Sequence, residues 1–263
     1  MVELSISLDP AGGGSDEQLF EYFEWVRGLA GADLPDVLNV SKSGRILYGA
    51  NKNISIHLDV MDGDFVPRSS VTMEQYGHIV KNTGKQIIDV HLMVSNPEKV
   101  INQYLAKAVW GGIRSISFHV EAVSPEVGVV VLQKIKSLGI EGGIVVDLDT
   151  EISSVSREML DLADVVTVMT VKCGMSGQSF NEGVLEKVRK IRETYQSKSA
   201  VVSGVGRVVS RKRIIVDGGV NLSNAESVVA AGADCVVVGG GVYFAGKTKK
   251  DRKAAVVALR AVL

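Results

Sequence analysis

The chain has 263 residues, 46% hydrophobic and 22% charged, a composition with enough apolar material for a large core and one that excludes wholesale disorder. Basic and acidic side chains nearly balance at a net charge of −1, so no basic excess marks a nucleic-acid footprint. No apolar run approaches the ~18–20 residues that cross a bilayer, the start Met1-Val2-Glu3-Leu4 is not that of a signal peptide, and Cys173 and Cys235 cannot build a disulfide framework, so we expect reduced thiols in a cytoplasmic protein with no membrane and no nucleic-acid partner.

Short β-branched runs alternate with longer amphipathic stretches. Val2–Leu8 reads as a strand and Glu17–Leu29 as a helix. Ile54–Val60 is a strand and Val71–Asn82 a helix. Gln86–Val94 is a strand, and Pro97–Lys107 a helix with proline in its first turn. Ile113–Val120 is followed by the helix Pro125–Leu138, which stops at Gly139. Gly143–Leu148 and Ser153–Leu162 form the next pair, then Val165–Val171 and Glu182–Thr194. Arg213–Asp217 precedes the helix Ser223–Ala231, and Asp234–Val238 precedes Lys250–Leu263.

Several strands are apolar almost throughout, as in Cys235-Val236-Val237-Val238, which suits parallel strands buried on both faces. Eight such units predict an α/β protein with one closed (β/α)8 TIM barrel spanning residues 1–263. A doubly wound open sheet is the alternative, and no Gly-x-Gly-x-x-Gly opens the first helix to support it. Two long stretches break the rhythm as insertions, near 31–53 and 197–213. In the first, Val37–Val40 and Ile46–Tyr48 could pair as a hairpin. The second carries Lys198, Arg207, Arg211, Lys212 and Arg213.

Polar residues gather where strands end, and the C-terminal rim of a barrel is where its active site lies. Side chains alternate along a strand, so His57, Asp59 and Met61 share one face of the second strand, and His91 and Met93 one face of the third. The seventh strand ends at Asp217. Two His and two Asp could thus converge, and this nitrogen/oxygen set suits a divalent ion such as zinc, manganese, cobalt or iron(II). Taken singly, each of the four reads more readily as an ordinary capping or core residue; four at corresponding strand ends are a far rarer coincidence. By pattern alone Met61, Met93 and Met169 read as core filling. His78 falls on an outer helix. His119, with Glu121 behind it, reads as structural or as a support for the cluster. Glycine follows strands six to eight at Gly174–Gly177, Gly218-Gly219 and Gly239–Gly241, where backbone N–H groups can approach a phosphate.

These segments resemble the ribulose-phosphate 3-epimerases. The resemblance rests on His57-Leu58-Asp59-Val60-Met61-Asp62-Gly63-Asp64-Phe65-Val66-Pro67, on Asp89-Val90-His91-Leu92-Met93-Val94 with Asn96-Pro97-Glu98, and on Phe118-His119-Val120-Glu121-Ala122. Val168-Met169-Thr170-Val171 with Gly177-Gln178, and Val216-Asp217-Gly218-Gly219-Val220-Asn221, complete it, in order from about residue 54 to 245. It implies a barrel of the ribulose-phosphate-binding type and a divalent metal held by His57, Asp59, His91 and Asp217, with Asp59 and Asp217 as the acid/base pair. It further implies that Met61, Met93 and Met169 line the substrate cavity beside His91. Phosphate would be held by Gly174, Met175, Ser176, Gly177, Gly218, Gly219, Gly240 and Gly241. A serine at the end of the first strand would touch substrate, here Ser5, with Ser7 as the competing register.

The implied activity is epimerisation of D-ribulose 5-phosphate at C3 to D-xylulose 5-phosphate, in the pentose phosphate route of carbohydrate metabolism or in carbon fixation. A hexulose 6-phosphate such as allulose 6-phosphate is the rival substrate. A lyase built around Lys172 and a non-catalytic sugar-phosphate binder are rivals of other classes. The partner expected is a small phosphorylated sugar, and the assembly a homo-oligomer. The chain departs from the family pattern at Lys172-Cys173-Gly174-Met175-Ser176-Gly177, where Asn-Pro-Gly-Phe-Gly-Gly is usual. It also departs at Asp147-Leu148 in place of Asn-Pro, and at Gly240-Gly241 in place of Gly-Ser.

Overall fold

The computed structural model describes residues 2–7, 25, 39–40, 46–47, 54–70, 87–105, 112–175, 177–195, 200–201, 208–209, 211–246 and 248–263. Eight parallel strands close into a barrel: β1 (Glu3–Ser7), β2 (Ile54–Met61), β3 (Ile88–Met93), β4 (Ile113–His119), β5 (Glu141–Val146), β6 (Val165–Met169), β7 (Arg213–Asp217) and β8 (Cys235–Val238). Each pairs with its neighbours in chain order, and β1 closes the ring between β8 and β2. The open-sheet alternative is thereby excluded. All eight residues of β2 and all six of β3 are buried, because one face looks into the barrel and the other lies under helices.

The helices that clad the barrel among the described residues are α1 (Pro97–Leu105), α2 (Pro125–Ser137), α3 (Arg157–Leu162), α4 (Leu185–Thr194), α5 (Ala225–Ala230), α6 (Gly240–Tyr243) and α7 (Lys249–Val262). Their ends follow local chemistry. Ser124 caps α2 by accepting from the Val127 N–H, with Pro125 in the first turn. Thr248 and Asp251 cap α7 reciprocally. The helix expected over Ser153–Leu162 is split into a 3-10 turn, Ile152–Ser154, and α3, because the Ser156 side chain starts a new helix by accepting from the Met159 N–H. The helices expected over Glu17–Leu29 and Val71–Asn82 lie outside the described residues, except for helical Trp25.

The first insertion contains an antiparallel pair, Asn39–Val40 with Ile46–Leu47, inside the stretch where a hairpin was expected. The second contains an unforeseen one, Ala200–Val201 with Val208–Val209. Its signal is two Val-containing dipeptides flanking Ser203-Gly204-Val205-Gly206.

The deeper end of the barrel is filled by charge. Asp89 is buried and accepts from Arg114 Nε at 3.0 Å and from Arg213 Nη2 at 2.8 Å, while Arg114 Nη1 donates to Glu3 Oε2 at 2.7 Å. Two guanidinium groups and two carboxylates meet each other's hydrogen-bonding needs, as buried charges must. Burial alone would raise the Asp89 carboxyl, but Arg114 and Arg213 hold it well below the usual carboxylate range.

Candidate metal centre and substrate cavity

Register brings the polar residues together at the C-terminal mouth. Ser7 of β1 lies beside His57 of β2, Asp59 beside His91 of β3, and Met61 beside Met93. Asp217 ends β7, where Thr170 Oγ1 donates to its carbonyl at 3.0 Å and pins the turn. The four expected donors meet: one ligand atom from each of His57, Asp59, His91 and Asp217 lies within 4.8 Å of all the others.

His57 Nε2 is 3.4 Å from Asp59 Oδ1 and 3.2 Å from Asp217 Oδ2. His91 Nδ1 is 3.1 Å from Asp59 Oδ1 and 3.4 Å from Asp217 Oδ2. The two ring nitrogens are 3.4 Å apart. Donors ~2.0–2.1 Å from a common zinc ion in a tetrahedron would lie ~3.3–3.4 Å apart, and the five distances above are of that size, while the Asp59 and Asp217 oxygens lie within 4.8 Å of each other. His57 Nδ1, on the far side of its ring, is buried without a hydrogen-bond partner among the described residues.

The electrostatics ask for the same thing as the geometry. Burial alone would lower the His57 pKa, but the charges of Asp59 and Asp217 hold it well above the usual imidazole value. His91 is raised in the same way against its burial, by its bonds to Asp217 and Asp59. Burial would raise the two carboxylates, yet the neighbouring imidazoles hold both below their usual range. Two ionised carboxylates and two imidazoles around one point form a place for positive charge. A divalent cation fits this donor set.

The cavity above the cluster has a volume of about 210 Å³ and is lined by Ser7, Asp59, His91 and Asp217. That is below the ~300–1,000 Å³ of drug-sized pockets and suits a small ligand. Met61, Met93 and Met169 are all buried on its wall. The rest of the wall includes loop residues. Gly174, Met175 and Gly177 come from the loop after β6, Gly218 and Gly219 from the turn after β7, and Gly240 and Gly241 from the start of α6. Ser176 lies outside the described residues.

The expectation for Ser5 is corrected. Ser5 sits one layer deeper and accepts a hydrogen bond from Ser55 Oγ at 2.9 Å. Ser7 reaches the mouth, where its hydroxyl donates to Asp59 Oδ2 at 2.9 Å. Both serines point inward, two residues apart, and only the stagger of β1 against β2 sets which one meets the cluster.

The glycines after β7 are required by the backbone. Gly218 has φ +114° and Gly219 φ +61°, and a Cβ on Gly219 would lie 2.9 Å from the Phe180 nitrogen. The side-chain amides of Asn221 and Asn224 each donate to the Gly219 carbonyl at 3.1 Å. The trans peptide then turns the Val220 N–H the opposite way.

Sequence reasoning passed over several residues of the cavity wall. Arg68, just beyond the second-strand motif, donates to the Gly174 carbonyl at 3.5 Å. Val66 packs so closely on Gly174 that a Cβ there would meet it at 2.6 Å. The loops after β2 and β6, on opposite sides of the ring, thus meet across the mouth. Lys172 and Cys173, singled out as departures, also line the cavity, and Gln178 Nε2 ties their loop by donating to the Lys172 and Met175 carbonyls at 2.6 and 2.9 Å. Among the described residues no helix is long and apolar enough to cross a membrane.

Comparison with known proteins places the chain in one family. The model of the ribulose-phosphate 3 epimerase family matches residues 43–243. A ribulose-phosphate 3-epimerase of Aquifex aeolicus is 39% identical over 190 residues, covering 72% of this chain and 78% of its own. The cytoplasmic isoform from rice is 34% identical, covering 72% and 75%, and the Bacillus subtilis enzyme 33% identical, covering 78% and 85%. Among solved structures, a tryptophan synthase alpha-subunit of Pyrococcus furiosus superposes with a TM-score of 0.64 at 15% identity, covering 98% of each chain, which is a likeness of fold. The matched span, the identity to curated epimerases and the barrel together show that the chain belongs to the ribulose-phosphate 3-epimerase family of isomerases.

Proposed function

We propose that this protein epimerises D-ribulose 5-phosphate at C3 to D-xylulose 5-phosphate, with Asp59 and Asp217 as the two proton carriers around a divalent metal. The observation that carries this is the pair of carboxylates, from strands three places apart, converging on two imidazoles at the floor of a small cavity. The names of the relatives support the substrate class.

His57, Asp59, His91 and Asp217 would hold the metal, which supplies Lewis-acid polarisation of a ketone oxygen. The remaining work falls to the side chains. Inversion at a carbon needs a proton taken from one face and another delivered to the opposite face, so two carboxylates on different walls are the minimum set. In the metal-free site both carboxyls are held below their usual range. In turnover the one that takes the C3 proton must be ionised and the one that delivers must hold a proton, and each needs to come within ~3 Å of the C3 proton path. Ser7 steadies Asp59 through its hydroxyl. The methionine walls keep water from the carbanion formed on proton removal. The glycine turns after β6, β7 and β8 are the phosphate cradle of this reading, since barrel phosphate sites form there and the Gly219 carbonyl is tied back.

The test is a coupled assay on purified protein with ribulose 5-phosphate and allulose 6-phosphate as competing substrates, beside metal analysis. Turnover of the pentulose with a bound divalent metal is expected. Preference for the hexulose would move the assignment to the longer sugar.

A further inference from the structure

We propose that His119 and Glu121 are positioning residues for the metal centre, locking the His91 ring in the tautomer that presents Nδ1 to the other three donors. The inference rests on the metal reading above.

The His91 ring has two different sides. Nδ1 faces Asp59 and Asp217. Nε2 lies 3.0 Å from His119 Nε2. His119 Nδ1 lies 3.2 Å from Glu121 Oε2, and Glu121 Oε1 accepts from the Asp147 backbone N–H at 3.0 Å. The direction of this chain follows from its fixed end. Glu121 is held ionised, so it only accepts, and His119 Nδ1 must donate to it. A neutral His119 then offers a lone pair at Nε2, and His91 Nε2 must carry the hydrogen that fills it. What remains on His91 is the Nδ1 lone pair, aimed at the cluster.

His119, the middle of this chain, has no room to swing away. His119 is fully buried, and Phe65 packs on its ring at 4.8 Å between centroids. The Asp147 N–H that orients Glu121 follows directly on the end of β5. His57 has no counterpart, because its outer nitrogen lacks a partner among the described residues. Of the two imidazoles, His91 is the one whose tautomer the protein dictates. Partners that orient a ligating histidine typically change metal affinity ~10–100-fold when removed.

The experiment uses the full chain stripped of metal and titrated with cobalt(II) against a competing chelator. His119→Leu removes the acceptor, and cobalt binding should weaken ~10–100-fold. His119→Gln keeps a carbonyl that accepts and an amide that donates, and should restore most of the affinity. In the zinc-loaded wild type, 15N spectra should show the His91 proton on Nε2 and the His119 proton on Nδ1. Wild-type cobalt affinity in His119→Leu, or equal impairment in the Leu and Gln variants, would overturn the proposal while leaving the metal reading intact. A wild type that takes up no cobalt would overturn both. Should His119→Leu fail to fold, Glu121→Gln replaces it. That variant should weaken cobalt binding severalfold without moving the melting temperature of the metal-free protein, and unchanged affinity would overturn the proposal.

Discussion

His57 Nε2 and His91 Nδ1 face each other at 3.4 Å, and each lies within 3.4 Å of both Asp59 and Asp217. Two imidazole lone pairs repel at that distance unless a proton or a cation lies between them. Protons and metal therefore compete for one place. In the metal-free protein both imidazoles have raised pKa values, so their contribution to stability is fully present below about pH 6.5 and is lost as pH rises through the raised values. The metal-free protein should melt at progressively lower temperature above pH 6.5. The metal-loaded protein should not, and metal at 1,000 times its Kd should add about 4 kcal/mol. Paired thermal melts from pH 6 to 9 check this. Parallel curves with and without metal would refute it.

Asp217→Asn should abolish epimerisation while leaving slow exchange of one C3 proton, since Asp59 can still take and return a proton on its own face. NMR in deuterated water reads the exchange, a coupled assay reads the product, and metal content is measured beside both. Wild-type turnover in a variant that keeps its metal would exclude the two-carboxylate mechanism. The Asp59→Asn variant should lose the complementary exchange.

Ser7 and Ser5 separate by depth. Removing a hydrogen bond to a charged group costs about 1.5–3 kcal/mol, so Ser7→Ala should lower kcat/KM about 10–100-fold through Asp59. Ser5→Ala loses only its bond with Ser55 and should change stability by about 1 kcal/mol with KM unmoved. Steady-state kinetics on both variants decide, and equal effects would argue against a role for Ser7 at the cavity.

The turn after β7 should tolerate no side chain. A Cβ on Gly219, at positive φ and against the Phe180 backbone, costs about 1–3 kcal/mol in strain. Gly219→Ala should both melt earlier and raise KM. On Gly240 a Cβ would meet the Phe244 ring at 3.3 Å and lie at ordinary contact, 3.9 Å, from the Gly177 nitrogen, so Gly240→Ala should be mild and Gly240→Leu should raise KM strongly. An unchanged KM in Gly240→Leu would place the phosphate elsewhere.

The alternation of strand and helix, and the inward face shared by His57, Asp59 and Met61, could be read directly because both are local periodicities of 3.6 and 2 residues. The two-His, two-Asp set was legible for the same reason, each donor lying at or near the end of an apolar run. Depth along the barrel was not legible. Alternation says that Ser5 and Ser7 point inward, but the stagger between β1 and β2 decides that Ser7 meets Asp59. β1 also lies outside the span matched by the family model, and only its pairing with β8 and β2 shows that it closes the ring. The charged floor of Glu3, Asp89, Arg114 and Arg213 draws on four strands. The meeting of Val66 and Arg68 with Gly174 spans the mouth. These contacts join residues 25 to 124 positions apart. Local pattern carries no signal across such separations, and barrel closure, with its fixed shear, is what sets them.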